Sequence, residues 1–249
     1  MKRREIYSDL RCIPPVIVRI DGRNFKNALS RMGFEKPYDE RFTSAIVNSI
    51  ELFFRKSGLS PVLAYTFSDE ISFLFRDNAF DGRIEKIDSV IPSYISSAFT
   101  TAIAPEEPVS FDSRIIPLHE EDVREYLIWR QDEAWRNCIN SYAYYTLLSE
   151  GMNEKEAARN LKNKNASDMH ELLFERGINI SKVPAWQRRG IMIHRKETEI
   201  EGFDPHLNVR TTSIRTKVFS DREIPLFSSE EGEAFLEKLL AKKADEQNK

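Results

Sequence analysis

The stretch Ala64-Tyr-Thr-Phe-Ser-Asp-Glu-Ile-Ser-Phe-Leu-Phe75 decides the fold of this chain. Two apolar runs rich in strand-forming residues flank Ser68-Asp69-Glu70, and this pattern predicts a β-hairpin with two adjacent carboxylates at its tip. Upstream, the apolar run Pro15-Val-Ile-Val-Arg-Ile20 predicts another strand, which ends at Asp21-Gly22. Carboxylates held at strand ends suit Mg²⁺, which takes hard oxygen ligands together with water and substrate phosphates. Two such ions can activate an attacking oxygen and stabilise a leaving one in phosphoryl transfer.

The surrounding segments predict a familiar order of elements. Asp39 is the predicted N-cap of a helix that stops near Gly58, with apolar residues at helical spacing between them. A second helical pattern covers residues 83–103, and a short strand is predicted from Phe111 to Ile116. Strand, helix, hairpin, helix and strand make the βαββαβ order of the ferredoxin-like fold. Polymerase palm domains and nucleotidyl cyclases share this α+β arrangement, so the fold alone does not fix the function.

Two regions are predicted along the chain. Residues 1–118 form a palm-like catalytic core. Residues 119–249 form a helical region followed by a β-arm, which we expect to complete the catalytic unit within one compact body.

Composition bounds the class of protein. The chain has 249 residues with 41% hydrophobic content, enough for a sizeable core, and no apolar stretch approaches the roughly 20 residues that span a bilayer. The two cysteines, Cys12 and Cys138, predict reduced thiols. Because no spanning stretch and no apolar signal core is present, we expect a cytoplasmic protein without a membrane partner. The net charge of −3 is not the basic signature of a nucleic-acid binder. Composition alone favours a small-molecule enzyme, and an RNA partner requires a local basic patch or patches pooled from neighbouring subunits.

Several separated motifs, in order, resemble the tRNA-His guanylyltransferase family. The resemblance covers roughly residues 15 to 195, with weaker similarity around residues 210 to 217. The matching motifs are Val18-Arg-Ile-Asp-Gly-Arg-Asn-Phe25, Lys36-Pro37 with Asp39, Ser68-Asp-Glu70, Phe111-Asp-Ser-Arg114, Tyr126 with Trp129-Arg-Gln131, and Glu171-Leu-Leu-Phe174 with Asn179.

One segment departs from the family pattern. Eukaryotic members carry a His-Ile-Asn-Asn-type motif that recognises tRNA-His, whereas this chain has Trp135-Arg-Asn-Cys-Ile-Asn-Ser-Tyr142. Trp135 stands at the histidine position, and Asn137 matches. The chain therefore looks more like the guanylyltransferase-like branch of archaea and bacteria, which extends tRNA 5′ ends under template direction and repairs truncated tRNAs.

The resemblance implies a set of metal and nucleotide ligands. Asp21 and Asp69, with the backbone carbonyl of Gly22, are the implied ligands of two Mg²⁺ ions. Glu70 is the third catalytic acid and either ligates metal or holds the site in shape. Without the resemblance, the same acids read as solvated turn residues. The implied nucleotide-binding residues are Gly22, Arg23, Asn24, Phe25, Lys36, Ser68, Arg83 and Lys86.

Candidate tRNA contacts come from two sources. The basic run from Lys182 to Lys196, with Trp186 interleaved, offers cations for phosphates and an indole for stacking on a base. The alternative is a set of solvated strands with a core tryptophan. From this run, a second basic cluster and the family resemblance, the candidates are Arg114, Arg130, Gln131, Asn137, Arg188, Arg189, Arg210, Arg215 and Lys217.

The implied function is addition of nucleotides to tRNA 5′ ends in the 3′–5′ direction. ATP activates the 5′-monophosphate, the 3′-hydroxyl of GTP or another templated nucleotide attacks, and AMP leaves. The family assembles as homotetramers built from dimers, and we expect the same here. Whether repair of truncated tRNAs or G addition to tRNA-His dominates stays open, as does the division of roles among Asp21, Asp69 and Glu70.

Two rival interpretations remain. A nucleotidyl cyclase or a forward polymerase uses the same palm and metals, and a cyclase needs no RNA partner. The acidic composition favours that rival, whereas Trp129-Arg-Gln131 and the basic run argue against it. A non-enzymatic RNA-binding module is the other rival, and the presence of all three acids argues against it.

Overall fold

The structure, a computed structural model, describes residues 4–204 and 209–241. Within these residues the strands form a six-stranded antiparallel sheet in the order β4-β1-β3-β2-β5-β6. The strands are β1 (Val16–Gly22), β2 (Leu63–Phe67), β3 (Glu70–Phe75), β4 (Phe111–Pro117), β5 (Ile191–Asp204) and β6 (Val209–Asp221). The helices are α1 (Phe25–Arg31), α2 (Glu40–Lys56), α3 (Ile84–Ile103), α4 (Asp122–Ser149), α5 (Glu154–Leu161), α6 (Ala166–Phe174), α7 (Ala185–Arg189) and α8 (Glu230–Leu240).

The first four strands confirm the predicted palm. Along the chain, β1, α2, β2, β3, α3 and β4 follow the βαββαβ order, and their order in the sheet is β4-β1-β3-β2. The helix α2 begins as predicted, because the Asp39 side chain accepts a hydrogen bond from the Arg41 backbone amide at 2.7 Å. The sheet continues into the C-terminal half of the chain, since β2 also pairs with residues 191–194 of β5.

Alternation of side chains along β1 gives the sheet two different faces. Val16, Val18 and Ile20 pack in one buried cluster with the apolar sides of α2 and α3. Ile17 belongs to a second cluster, on the opposite face, with residues of α4 and α8. Because Asp21 shares the parity of Ile17, the acid at the end of β1 faces the α4 side of the sheet.

The helical region forms a third buried cluster around α4. Its apolar residues come from the second half of α4 together with α5, α6 and the segment that follows α6. The helices α5 and α6 each begin with a capping box, at Asn153 and Asn165. No helix in the described part of the chain is long and apolar enough to cross a membrane.

The strands β5 and β6 extend far beyond their pairing with β2. Only residues 191–194 of β5 pair with β2, whereas β5 and β6 pair with each other from Met192 to Asp204. The outer part is therefore a two-stranded ribbon, which we call the arm. This confirms the β-arm expected from the sequence.

Gly190 connects α7 to β5 at a position that only glycine accommodates. Its φ is +77°, and an added Cβ would lie 2.7 Å from the Thr66 carbonyl oxygen and from the Tyr65 ring. A side chain here would combine backbone strain with a clash against a buried strand.

We therefore expect Gly190→Ala to lower the free energy of unfolding by roughly 3 kcal/mol, the sum of strain and overpacking. Gly177→Ala is the matched control, because Gly177 also has a positive φ of +75° but has open space around its Cβ position. The control should cost about 1 kcal/mol. Urea unfolding of both variants measures the difference, and equal losses would contradict the packing argument.

Candidate active site

Three strands place charged side chains in two rows on the face that α4 covers. In the first row, Asp21 of β1 is paired with Asp112 of β4, and on its other side the register continues to Glu70 of β3. In the second row, Arg19 is paired with Arg114 of β4 and with Ser72 of β3. The sheet register thus sets a row of three carboxylates beside a row of two guanidinium groups.

Asp69 lies in the turn between β2 and β3, at the edge of the first row. The turn is tight because Phe67 pairs directly with Glu70, and Ser68 adopts a positive φ of 50°. The Ser68 hydroxyl donates a hydrogen bond to the Asp69 carboxylate at 3.0 Å. Burial, and next the negative charge of Asp21, raise the pKa of Asp69 to about 6. The two carboxylates are therefore close enough to repel each other.

Gly22 is the backbone wall against which Asp69 lies. A Cβ at this position would stand 2.8 Å from the Asp69 carboxylate and 2.5 Å from the Phe25 ring, so no side chain fits without displacement. The closeness of glycine backbone and carboxylate is consistent with a shared ligand set that includes the Gly22 carbonyl. Burial and the nearby Asp112 also raise the pKa of Asp21, while Arg114, Arg19 and Arg130 oppose that shift.

Glu70 is engaged differently from the other two acids. Its two carboxylate oxygens accept hydrogen bonds from Arg130 of α4, at 2.8 and 2.6 Å. Burial raises the pKa of Glu70, and the hydrogen bonds and charge of Arg130 counteract that rise. Glu70 is thus tied to the helix that covers the site.

The side chains at the site supply only some of the oxygen ligands that a divalent cation such as Mg²⁺ needs. Among the described residues, no group of three or more His, Cys, Asp or Glu side chains is arranged to hold a metal ion. Asp21 and Asp69 nevertheless repel each other beside a backbone carbonyl, and Mg²⁺ is commonly held by one or two carboxylates with water and substrate phosphates. The residues present therefore fit Mg²⁺ if the substrate supplies the remaining oxygens.

A cavity of about 260 Å³ opens beside the acidic turn. Its lining combines the polar residues Lys36, Ser68 and Asn137 with the aromatic Trp186. The charge of Lys36 lowers the pKa of Asp69, which places its ammonium group within electrostatic reach of the acids. A mixed apolar and polar concavity of this size suits part of a small molecule such as a nucleotide.

A second cavity, of about 270 Å³, lies over the two charged rows. It is lined by Arg19, Asp21, Glu70, Arg114, Trp129, Arg130, Glu133 and Asn137. Asn137 lines both cavities and so stands between them. The first cavity thus borders the acidic turn at Ser68, and the second is lined by Asp21 and Glu70.

The structure does not bring every predicted nucleotide ligand to the acids. Arg23 and Asn24 are exposed directly after β1, as expected, but the Phe25 side chain is buried in the core. Its ring lies 4.8 Å from the Phe111 ring and 5.5 Å from the Phe99 ring. Phe25 thus supports the loop from behind, and its side chain does not reach a nucleotide.

Arg83 and Lys86 lie at the start of α3, which packs on the face of the sheet opposite the charged rows. The Gly82 carbonyl, just before Arg83, accepts a hydrogen bond from the Cys12 backbone amide, and Cys12 precedes the start of β1. Two residues after Lys86, however, Asp88 accepts a hydrogen bond from the Ser113 hydroxyl at 2.6 Å, and Ser113 adjoins Asp112, the strand partner of Asp21. That these two cations bind the nucleotide therefore stays a prediction.

The predicted tRNA contacts divide in the same way. Gln131 is buried, donates hydrogen bonds to the Pro225 and Arg189 carbonyl oxygens and accepts one from the Phe227 amide. Arg130 is buried against Glu70. Gln131 uses both ends of its amide inside the protein, whereas Arg130 binds Glu70 through two nitrogens and also lines the second cavity. A direct RNA contact by Arg130 stays a prediction.

The remaining predicted cations keep access to solvent. Arg114 is exposed in the second cavity, whereas Arg188 and Arg189 are half-buried, with hydrogen bonds to the Val183 and Ile224 carbonyl oxygens. On the arm, Arg215 and Lys217 point to one face, because they pair with Thr198 and Lys196. Arg210 pairs with residue 203 and points to the other face.

Three residues at the site were missed by the sequence interpretation. Arg19 and Asp112 line up with Arg114 and Asp21, and Trp129 places its indole within 5.5 Å of the Arg19 guanidinium and 4.4 Å of the Arg130 guanidinium. The two-residue period of a strand predicts that Arg19 shares the face of Asp21. Strand pairing with β4, which places Asp112 beside Asp21, cannot be deduced from local sequence.

Comparisons with known proteins agree on one family. Residues 1–119 match the model described as tRNAHis guanylyltransferase, and residues 121–233 match the model described as Thg1 C terminal domain. The chain belongs to the tRNA(His) guanylyltransferase family. The resemblance inferred from the motifs is therefore confirmed, and with it the enzyme class, since these are nucleotidyltransferases.

Individual relatives extend over most of the chain. A probable tRNA(His) guanylyltransferase of Dictyostelium discoideum is 33% identical over 74% of this chain and 76% of its own length. The tRNA(His) guanylyltransferase of Candida glabrata is 31% identical over 78% of this chain and 86% of its own length.

Solved structures share the architecture. A bacterial tRNA(His) guanylyltransferase-like protein in complex with ATP superposes with a TM-score of 0.74 at 27% identity, covering 96% of this chain and 97% of that chain. The complex with GTP gives a TM-score of 0.71 at the same identity, covering 96% of each chain. The enzyme of Saccharomyces cerevisiae gives 0.67 at 25% identity, covering 77% of this chain and 90% of that chain. These neighbours confirm the palm-type fold.

The raised pKa of Asp69 predicts a stability gain on neutralisation. A carboxylate with a folded-state pKa near 6, above its ordinary value of 3.8, destabilises the folded protein progressively as pH rises from about 4 to 6. At pH 7.5 in EDTA, we expect Asp69→Asn to raise the free energy of unfolding by about 1 to 3 kcal/mol. At pH 5, where wild-type Asp69 is mostly protonated, the gain should shrink. Urea titrations at both pH values measure this, and a pH-independent gain would contradict it.

Proposed function

We propose that this protein adds nucleotides to tRNA 5′ ends in the 3′–5′ direction under template control, with two Mg²⁺ ions. The observation that carries the proposal is the approach of Asp21 and Asp69 against Gly22 in a chain of this family. One cavity borders the turn at Ser68, and another is lined by Asp21 and Glu70. The bacterial relatives solved with ATP and with GTP support nucleoside triphosphates as substrates. A cytoplasmic setting belongs to the same proposal.

The proposed reaction has two transfers. A tRNA 5′-phosphate oxygen attacks the α-phosphorus of ATP, a 5′-adenylylated end forms, and pyrophosphate leaves. The 3′-hydroxyl of GTP or another templated nucleotide then attacks the activated 5′ phosphorus, loses its proton, and displaces AMP. When bound, Mg²⁺ supplies acidity to the attacking hydroxyl and charge neutralisation to the phosphates.

The chain's own residues divide the work between the two cavities. Asp21, Asp69 and the Gly22 carbonyl would hold the metal ions, and Lys36 supplies a cation for the triphosphate on the side of the first cavity. On the other side, Arg19 and Arg114 stand side by side across two strands, at the spacing of about 5 Å between paired strands. Two guanidinium groups at this spacing suit the oxygens of a phosphate group at an RNA 5′ end.

A tRNA reaches beyond the acids, so a wider basic surface is part of the proposal. One face of the arm carries Arg215, Lys217 and Lys196. The opposite face carries Glu197 and Glu199. Cations collected on one face can neutralise phosphates even though the chain's net charge is −3. We include Arg188 and Arg189 in this surface, and a homotetramer built from dimers would pool such surfaces from several copies.

The deciding assay is nucleotide addition to 5′-truncated tRNA-His and to a truncated non-His tRNA, with ATP, each nucleoside triphosphate and Mg²⁺. We expect templated addition to both. Addition of a single G to tRNA-His alone would mean strict guanylyltransferase specificity. Cyclic nucleotide formed without RNA, and no tRNA extension, would replace the proposal with a cyclase.

In the same assay, Asp69→Ala should lower turnover by at least about 1,000-fold, because metal-ion stabilisation of phosphoryl transfer is worth several kcal/mol. The dissociation constant for tRNA, measured by filter binding, should change little, because Asp69 lies in the turn and not on a basic surface. Asp132→Ala, an exposed acid on α4, is the control and should retain activity. Near-normal turnover of Asp69→Ala would refute the metal assignment.

Trp135 is the proposed specificity position. It packs on His170 of α6, with the ring centroids 5.6 Å apart, so α4 and α6 meet where eukaryotic members carry histidine. We expect Trp135→His to raise the kcat/KM ratio of tRNA-His over a non-His tRNA by about 3- to 10-fold, the worth of one net hydrogen bond. Trp135→Phe keeps an aromatic ring and should leave the ratio unchanged. Identical ratios for both variants would end the recognition argument.

A further inference from the structure

The ion pair between Glu70 and Arg130 joins the acidic turn to α4. Only 14% of the Glu70 side chain and 7% of the Arg130 side chain is exposed, and two hydrogen bonds of 2.8 and 2.6 Å connect them in parallel. A bidentate guanidinium–carboxylate pair fixes both direction and distance, because the two planar groups can meet in few ways. The pair is therefore a geometric constraint on the turn.

The arginine end of this constraint is held rigidly. The Arg130 guanidinium lies 4.4 Å from the Trp129 ring centroid and 5.5 Å from the Phe67 ring centroid, which restricts its rotation. The next residue, Gln131, has hydrogen bonds from both ends of its amide to the segments that contain Arg189, Pro225 and Phe227. The helix α4 thus cannot shift at this position without breaking several buried hydrogen bonds.

The glutamate end transmits the constraint to the acids. Glu70 follows Asp69 directly and closes the two-residue turn through its pairing with Phe67. Because both Glu70 oxygens are engaged with Arg130, a metal ion could gain one only by displacing a buried guanidinium. Leaving that charge without its partner would be costly.

We propose that Arg130 is a positioning residue, which acts through Glu70 to orient the Ser68–Asp69 turn for metal binding, and that Glu70 is not itself a metal ligand. The inference rests on the proposed nucleotidyl transfer, and it divides the roles of the three acids. Asp21 and Asp69 bind, while Glu70 holds the turn against α4. It also accounts for a buried arginine on a helix that was expected to contact RNA.

A double-mutant cycle tests the proposal with Glu70→Gln, Arg130→Gln and the double variant, whose two amides can still pair without charge. Each single variant should lower kcat at saturating tRNA and nucleotide by about 100-fold, the effect of misplacing reacting groups by about 1 Å. The double variant should show about the same loss and not the product of two losses, because both substitutions break one interaction. The dissociation constant for tRNA should stay within about threefold, below the worth of one charged hydrogen bond.

Metal binding is read separately from activity. Mn²⁺ binding, followed by electron paramagnetic resonance with a non-hydrolysable nucleotide, should keep its stoichiometry in Glu70→Gln and lose it in Asp69→Asn. Arg76→Gln is the structural control, because Arg76 follows the far end of β3 and donates hydrogen bonds to the Glu120 carboxylate and the Leu240 carbonyl oxygen, away from the acids. It should lower the melting temperature without the change in kcat.

Three outcomes would overturn the inference. A loss of Mn²⁺ stoichiometry in Glu70→Gln would make Glu70 a ligand. Multiplicative losses in the double variant would separate the two residues. Weaker tRNA binding by Arg130→Gln with unchanged kcat would make Arg130 an RNA contact.

If Arg130→Gln fails to fold, Glu70→Gln and the uncharged double variant carry the measurement. An inactive wild-type enzyme in the same assay would instead count against the proposed function.

Discussion

The repulsion between neighbouring carboxylates is the constraint on which the rest of this structure depends. The sheet register brings Asp112, Asp21 and Glu70 into one row, and the turn adds Asp69 beside Gly22. Burial first, and then the charge of a neighbouring carboxylate, disfavour the ionised acids and raise the pKa values of Asp21 and Asp69. The surrounding protein holds the acids together by balancing their charge and by making the backbone beneath them stiff.

Both means are visible in the packing. The balance comes from Arg19, Arg114 and Arg130, all of which counteract the pKa rise of Asp21. The stiffness comes from an aromatic cluster behind the Gly22 loop. The Phe25 and Phe99 rings each contact those of Phe42 and Phe111 as well as one another, with centroid distances from 4.8 to 6.2 Å. The two faces of β1 therefore act together. The aromatic rings on one face support the Gly22 loop, and this support holds the loop in place against the repulsion between the carboxylates on the other face.

Local patterns in the sequence predicted what depends on near neighbours. The hairpin with Asp69 and Glu70, the strand that ends at Asp21, the helix capped by Asp39 and the arm follow from period, caps and turn residues, and the structure confirms them. Long-range packing decided the rest. Arg130 and Gln131 were predicted to contact tRNA, and only the packing of α4 on the sheet shows that both side chains are buried. The position of Arg210 needs no long-range packing to explain it. The alternation of side chains along a strand by itself puts Arg210 on the face opposite Arg215 and Lys217.

Both cysteines of the chain have buried thiols, and one of them lies on the helix that covers the site. Cys138 follows Asn137 on α4 and, like Cys12, is free and buried. Burial raises the pKa of the Cys138 thiol to about 12 and also raises that of Cys12. Thiolate, the nucleophilic form, is therefore scarce at neutral pH. We therefore expect both native thiols to react slowly with alkylating reagents in the folded chain, so that a cysteine introduced on the arm could carry a fluorophore without removal of Cys12 and Cys138.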